Sequence, residues 1–206
     1  MNGGCDHAYA ASSCVWGTEP EPLLERLGER VPLRGLRVLD AGCGEGRNAV
    51  YLGQRGARVR AVDVSAAALA NAAAAWPDAT NVTWERADVQ RLALPLATYD
   101  LVVVDSVLHW LVGEREMTRL VHRLRAATRP GGLHLMCAFN DRHQELEGHD
   151  RPPTCIASHA FYLDLYDGWR LLEVRDEVHR SAHPGAPHEH GHSVTKLVAR
   201  REDGAP

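Results

Sequence analysis

Three glycines at alternate positions, Gly42, Gly44 and Gly46, follow the apolar pair Val38-Leu39 and the carboxylate Asp40, and a helical pattern opens at Arg47. A strand that ends in a glycine loop and passes straight into a helix has few structural solutions. The loop turns sharply, and its bare backbone lets a ligand approach to contact distance, which a Cβ would prevent. Such a segment sits at the carboxyl edge of an open α/β sheet, where ligands bind.

The residues around the glycines select the ligand. A dinucleotide fingerprint is spaced G-x-G-x-x-G and offers a helix N-terminus to a pyrophosphate. Here the spacing is G-x-G-x-G, with Arg47 where the third glycine would stand, and Asp40 and Glu45 would crowd a pyrophosphate. A cofactor with an ammonium group suits this acidic loop better, and S-adenosylmethionine has an ammonium, a sulfonium and no phosphate. Asp63 ends the next strand pattern, about where a ribose-binding acid is expected.

Strand and helix patterns alternate along the chain, which predicts an α/β fold with a doubly wound parallel sheet. Strands are expected over 36–40, 57–63, 81–86, 99–105 and 133–139, then 169–178 and 193–200. A first helix is expected from a Thr18 N-cap to about Arg30, with Leu23, Leu24 and Leu27 as its apolar stripe. Others follow the glycine loop, closing at Gly53 and Gly56, and cover 66–75 after Ser65, 114–128, and 159–166 after Ser158. Residues 1–18 show no period and read as an irregular arm over the cofactor, contributed by Tyr9 and Trp16. Residues 140–157 are polar through 153 and read as a lid loop over the site.

With 206 residues, 45% of them hydrophobic, and a net charge of −4, the chain suits one domain over 1–206. No apolar run approaches a membrane span, and the first residues lack a signal-peptide pattern, so a cytoplasmic protein without membrane contact is expected. Five cysteines without a C-x-x-C pair argue for free thiols. Scattered arginines give no basic stripe for nucleic acid, which leaves a small-molecule acceptor and a monomer or homodimer. Lys196 is the only lysine and alanine is abundant, as in GC-rich bacterial genomes.

The stretch Val38 to Val64 resembles the cofactor half of class I S-adenosylmethionine-dependent methyltransferases. Tyr9, Val15-Trp-Gly-Thr-Glu-Pro20, Gly44-Glu-Gly-Arg-Asn-Ala-Val-Tyr-Leu52, Arg129-Pro-Gly-Gly132 and Leu197-Val-Ala-Arg-Arg201 are together similar to the tellurite-resistance and thiopurine-type small methyltransferases. The resemblance implies a mostly parallel, seven-stranded Rossmann-like methyltransferase sheet with an antiparallel C-terminal hairpin. It also implies Gly42 and Gly44 at the methionine moiety, Asp63 beside Val64 at the ribose, and Asp88 with Val89 at the adenine edge. Asp40, Arg47, Asp105, Tyr9 and Trp16 complete the expected cofactor set. Glu21 stands where the subgroup carries asparagine.

The expected acceptor wall combines His109, after the fourth strand, with His179, Arg180, His190 and His192. The pair His179-Arg180 resembles a histidine-arginine pair that the subgroup places before its final strand, and it offers a titratable imidazole beside an anion-binding fork. His188, His190 and His192 share one side of a strand, a spacing that suits zinc. A Pro-Gly-Ala-Pro segment precedes them and Glu189 is the nearest carboxylate, so a substrate wall is preferred and no metal is assigned. The acceptor is expected to be a thiol, a metalloid oxyanion or an O, N or S nucleophile of a natural product. The alternative is a non-catalytic module that binds S-adenosylmethionine.

Overall fold

The computed structural model describes residues 6–149, 151–183, 186–202 and 204. Its seven strands are β1 (Arg37–Ala41), β2 (Arg58–Asp63), β3 (Val82–Arg86), β4 (Tyr99–Asp105), β5 (Thr128–Gln144), β6 (Arg170–His183) and β7 (Ala186–Arg200). They form one sheet in the order β3-β2-β1-β4-β5-β7-β6. The first five pair in parallel, and β7 runs antiparallel to both its neighbours.

Six helices, α1 (Asp6–Ala11), α2 (Pro22–Arg30), α3 (Arg47–Gln54), α4 (Ala66–Ala75), α5 (Glu114–Ala127) and α6 (His159–Asp164), accompany the strands. The four residues from Leu101 to Val104 are completely buried, because β4 is covered on both faces. Leu101 and Val103 pack with Leu24 of α2 and Leu52 of α3. Val102 and Val104 pack with Leu120 of α5 and Tyr162 of α6 on the other face. The sheet is therefore doubly wound, as the alternating patterns predict. Ser65 caps α4 by accepting the Ala68 N–H at 3.1 Å, and Ser158 caps α6 through the Phe161 N–H at 3.1 Å.

Several boundaries differ from the sequence expectation. The arm contains α1 rather than irregular chain alone. Glu21, not Thr18, is the N-cap of α2, because Pro22 takes the first helical position and the Glu21 carboxylate accepts the Leu23 N–H at 3.2 Å. Gly53 lies inside α3, where a Cβ would stand 2.9 Å from Val82 Cγ2, so close helix-strand packing rather than helix termination explains it.

Strand β5 runs on through 140–144, within the expected lid, and pairs Gln144 with His192. The hairpin of β6 and β7 reaches His183 and Ala186, where the polar composition of 181–191 suggests a loop. A ladder needs only backbone groups, so polar side chains on its faces do not interrupt it. Among the described residues no helix is long and apolar enough to cross a membrane. Cys14, Cys43, Cys137 and Cys155 are free thiols, and Cys5 lies outside the described residues.

Candidate cofactor and acceptor site

A cavity of about 900 Å³ opens beyond the carboxyl ends of β1, β2 and β4, where the strand order reverses between β1 and β4. Its size falls in the roughly 300–1,000 Å³ range of small-molecule sites. Gly42 and Gly44 form part of its wall. Gly42 has φ +84°, and a Cβ there would stand 2.2 Å from Val107 Cγ2. Gly46 serves packing instead, since its Cβ would meet Trp84 Cη2 at 2.3 Å.

Asp63 lines the cavity and braces the loop, with Oδ2 accepting the Gly44 N–H at 2.9 Å and Oδ1 the Ser65 N–H at 2.8 Å. Burial raises its carboxyl above the usual range despite these bonds. Val64, Asp88 and Val89 also line the wall, as do Arg47 and Asp105. Arg47 bonds Asp105 at 2.8 Å, and Asn48 donates to the same carboxylate at 3.0 Å. Burial works to raise Asp105, but Arg47, Asn48 and Ser106 together hold it below the usual range.

Asp40 differs from its expected role. It is 1% exposed and lies outside the cavity wall, beneath the loop. It accepts a backbone hydrogen bond from Ala49 in the first turn of α3, and its Oδ2 has no hydrogen-bond partner. Burial, followed by the charges of Asp105 and Asp63, pushes its carboxyl up to about 8.

Sequence reasoning missed two residues. Glu45, read as an acid that repels pyrophosphate, clamps the arm. Its carboxylate accepts the N–H groups of Cys14 at 2.7 Å and Val15 at 2.6 Å, and the amide of Asn71 at 2.9 Å. Tyr9 and Trp16 thereby reach the cavity wall, joined by a 3.0 Å bond from Trp16 Nε1 to Tyr9 Oη. Lys196 is the other. It pairs with Glu21 at 2.9 Å and Glu177 at 3.2 Å inside the wall. The one lysine of the sequence, set between Thr195 and the apolar run Leu197-Val-Ala199, was the available signal.

At the far end, His109, Trp110, Phe139, His149, His179 and His192 line the cavity. Phe139 stacks on His109 at 4.2 Å and on His192 at 4.4 Å. The Phe139 N–H donates to His109 Nδ1 at 3.3 Å, which leaves the ring hydrogen on Nε2. Burial pushes His109 down to about 3, so it stays neutral and is a poor base.

Arg180 and His190 do not reach the wall. Arg180 follows His179 in an extended strand, so its side chain takes the opposite face, where it pairs with Glu145 at 3.3 Å and Glu189 at 3.2 Å. His190 is 7% exposed and meets His192 edge to face, with ring centroids 4.7 Å apart.

Residues 38–132 match the family model described as a methyltransferase domain. The chain is 31% identical to the trans-aconitate 2-methyltransferase of Deinococcus radiodurans over 174 residues, which is 73% of this chain and 64% of that protein. The match spans 55–64% of the length of the first curated relatives. A solved structure concerned with conversion of a disulfide into a thioacetal during echinomycin biosynthesis aligns with TM-score 0.74 and 25% identity, over 97% of this chain and 91% of that one. TehB from Haemophilus influenzae aligns with TM-score 0.74 over 88% of this chain and 62% of its own, at 18% identity, a likeness of fold.

Proposed function

We propose that the chain binds S-adenosylmethionine in the cavity and methylates a small-molecule acceptor there, a reading supported by the match of residues 38–132 to a methyltransferase-domain family. The observation that carries the reading is the continuity of one cavity from Gly44, Asp63 and Asp88 at one end to His109, His179 and His192 at the other. The residues fit the cofactor. Gly42 and Gly44 line the cavity with bare backbone at positions where a Cβ would collide with Val107 and Tyr9, and the acids at the strand ends suit an ammonium and a ribose better than a phosphate.

The bound cofactor supplies an already activated methyl group on a sulfonium. What remains for the chain is alignment and exclusion of water. Tyr9 and Trp16 would close the donor end, Asp63 would hold the ribose hydroxyls, and Asp88 with Val89 would meet the adenine edge. His109 has its ring hydrogen on Nε2 to offer, and Phe139, sandwiched between His109 and His192, presents an apolar edge. With His109 neutral and a poor base, the site favours an acceptor that arrives or is held as its anion, such as a thiolate, an oxyanion or a carboxylate. A structural neighbour concerned with converting a disulfide into a thioacetal and a relative named trans-aconitate 2-methyltransferase support a sulfur or an oxygen acceptor.

Isothermal titration with S-adenosylmethionine, S-adenosylhomocysteine and NAD tests the donor assignment, with saturable binding expected for the first two. Binding of NAD alone would sink it. Labelled methyl should then pass from the donor to an acceptor in cell extract. A chain that binds the donor and labels no thiol, hydroxyl or oxyanion is a binding module.

A further inference from the structure

Three imidazoles from two separate segments converge beside the acceptor end of the cavity. His190 and His192 come from β7, and His149 comes from the segment that follows β5. One ring nitrogen from each lies within 4.8 Å of the other two. The rings meet edge to face, with centroids 4.5 Å (His149–His190), 4.7 Å (His190–His192) and 5.1 Å (His149–His192) apart. The trio differs from the strand-spacing set, because His188 is exposed and contributes only its carbonyl oxygen.

The outer nitrogens show which inner ones carry lone pairs. His192 Nδ1 donates to Gln144 Oε1 at 2.7 Å, and His190 Nδ1 donates to the His188 carbonyl at 2.7 Å. Each bond leaves Nε2 as the nitrogen able to ligate, the arrangement that oxygen acceptors impose on metal-binding histidines. His149 Nε2 and His192 Nε2 stand 3.3 Å apart. Two nitrogens about 2.0–2.1 Å from one tetrahedral zinc ion are separated by about 3.3–3.4 Å.

The second cluster of metal-ligating types, Glu21, Asp105 and Cys137, lacks this character. Lys196 already neutralises Glu21, and Arg47 already neutralises Asp105.

We propose that His149, His190 and His192 bind one divalent transition metal ion of the zinc class, whose remaining position faces the acceptor chamber. His149 and His192 belong to the cavity wall, so that position opens toward the space beside Phe139 and His109. Resting on the methyl-transfer reading, this narrows the acceptor to a group that ligates as an anion. A thiol or acidic hydroxyl binds through its deprotonated sulfur or oxygen, and its proton passes to water. A bound ion would let a protonated acceptor react as its anion although His109 is a poor base. Glu145 holds the segment that carries His149 by accepting the Gly191 N–H at 2.8 Å and pairing with Arg180 at 3.3 Å.

Titration of the tag-free chain with cobalt(II), followed by visible absorption and by elemental analysis, tests the site. One equivalent with the intense bands of a tetrahedral ion is expected. His149→Ala and His192→Ala should each lose it, while Gln144→Leu should weaken it roughly 10–100-fold and Gln144→Glu should restore it. Circular dichroism and titration with S-adenosylmethionine check the fold of each variant. His149→Ala, at the partly exposed position, serves if the buried His192→Ala does not fold. No cobalt binding at high micromolar concentration, or binding retained in His149→Ala, overturns the proposal. A thiolate-to-cobalt band on adding 2-mercaptoethanol supports the open position, and tetrahedral bands without it show a closed site and overturn that part. Cobalt binding by a chain that takes no S-adenosylmethionine leaves the metal site standing and defeats the methyl-transfer reading instead.

Discussion

At Asp40 a carboxyl that ionises near pH 4 in an unfolded chain is held protonated up to about 8. A raised folded value means that the stabilisation is complete below about pH 4 and is lost as the pH rises toward 8. Urea midpoints should therefore decline between pH 5 and 8, and Asp40→Asn should flatten that decline, whereas an unchanged slope would show that Asp40 is already ionised. Lys196 is a second residue whose partners decide its effect. Lys196→Met leaves the 6% exposed Glu21 without its cation and should cost about 3–5 kcal/mol by chemical denaturation. Adding Glu21→Gln should recover most of the loss, because the isolated buried charge is then gone.

The arm and the glycine loop act as one element through Glu45. Glu45→Ala removes three hydrogen bonds to a buried carboxylate, two of them from arm amides, and should raise the dissociation constant for S-adenosylmethionine about 10–100-fold. Deleting residues 1–17 should produce a similar loss, and the combination should add little, as expected for groups that act together. Affinity unchanged from that of the unsubstituted full chain in all three proteins, measured by titration calorimetry, would remove the arm from the site. Gly46→Ala is a different kind of change. It forces a Cβ at φ +87° against Trp84 and should destabilise the fold by about 2–4 kcal/mol, since the clash is with a ring packed on the sheet.

For the whole molecule, cofactor binding should draw together walls that come from the arm, α3, three strand ends and the hairpin. Saturation at about 100 times the dissociation constant should stabilise the chain by about 2.7 kcal/mol. That corresponds to a rise of roughly 5–10 °C in Tm for a chain of this size, readable by scanning calorimetry. The doubly wound parallel sheet was legible in the alternation of strand and helix patterns, because parallel strands need crossover helices that cover the sheet, whereas the order of the strands came from the tertiary structure. The donor half of the site was legible for a related reason. Gly42, Gly44, Asp63, Asp88 and Asp105 each sit at a strand end or in the loop after it, so local pattern and sheet topology place them in one crevice. Asp40 stood in the same pattern, yet its depth below the loop depends on how α3 docks, and Glu45 could be read as a clamp only once the arm lay against it. The acceptor half needed the tertiary structure throughout. Whether a histidine of a polar strand faces the cavity turns on a one-residue parity that composition does not carry, which separates His179 from Arg180. His149 and His192 are 43 positions apart and meet only because β5 continues to pair with β7 at Gln144. Periodicity reports which residues share a face of one element, and contacts between distant segments are set by the packing of the folded chain.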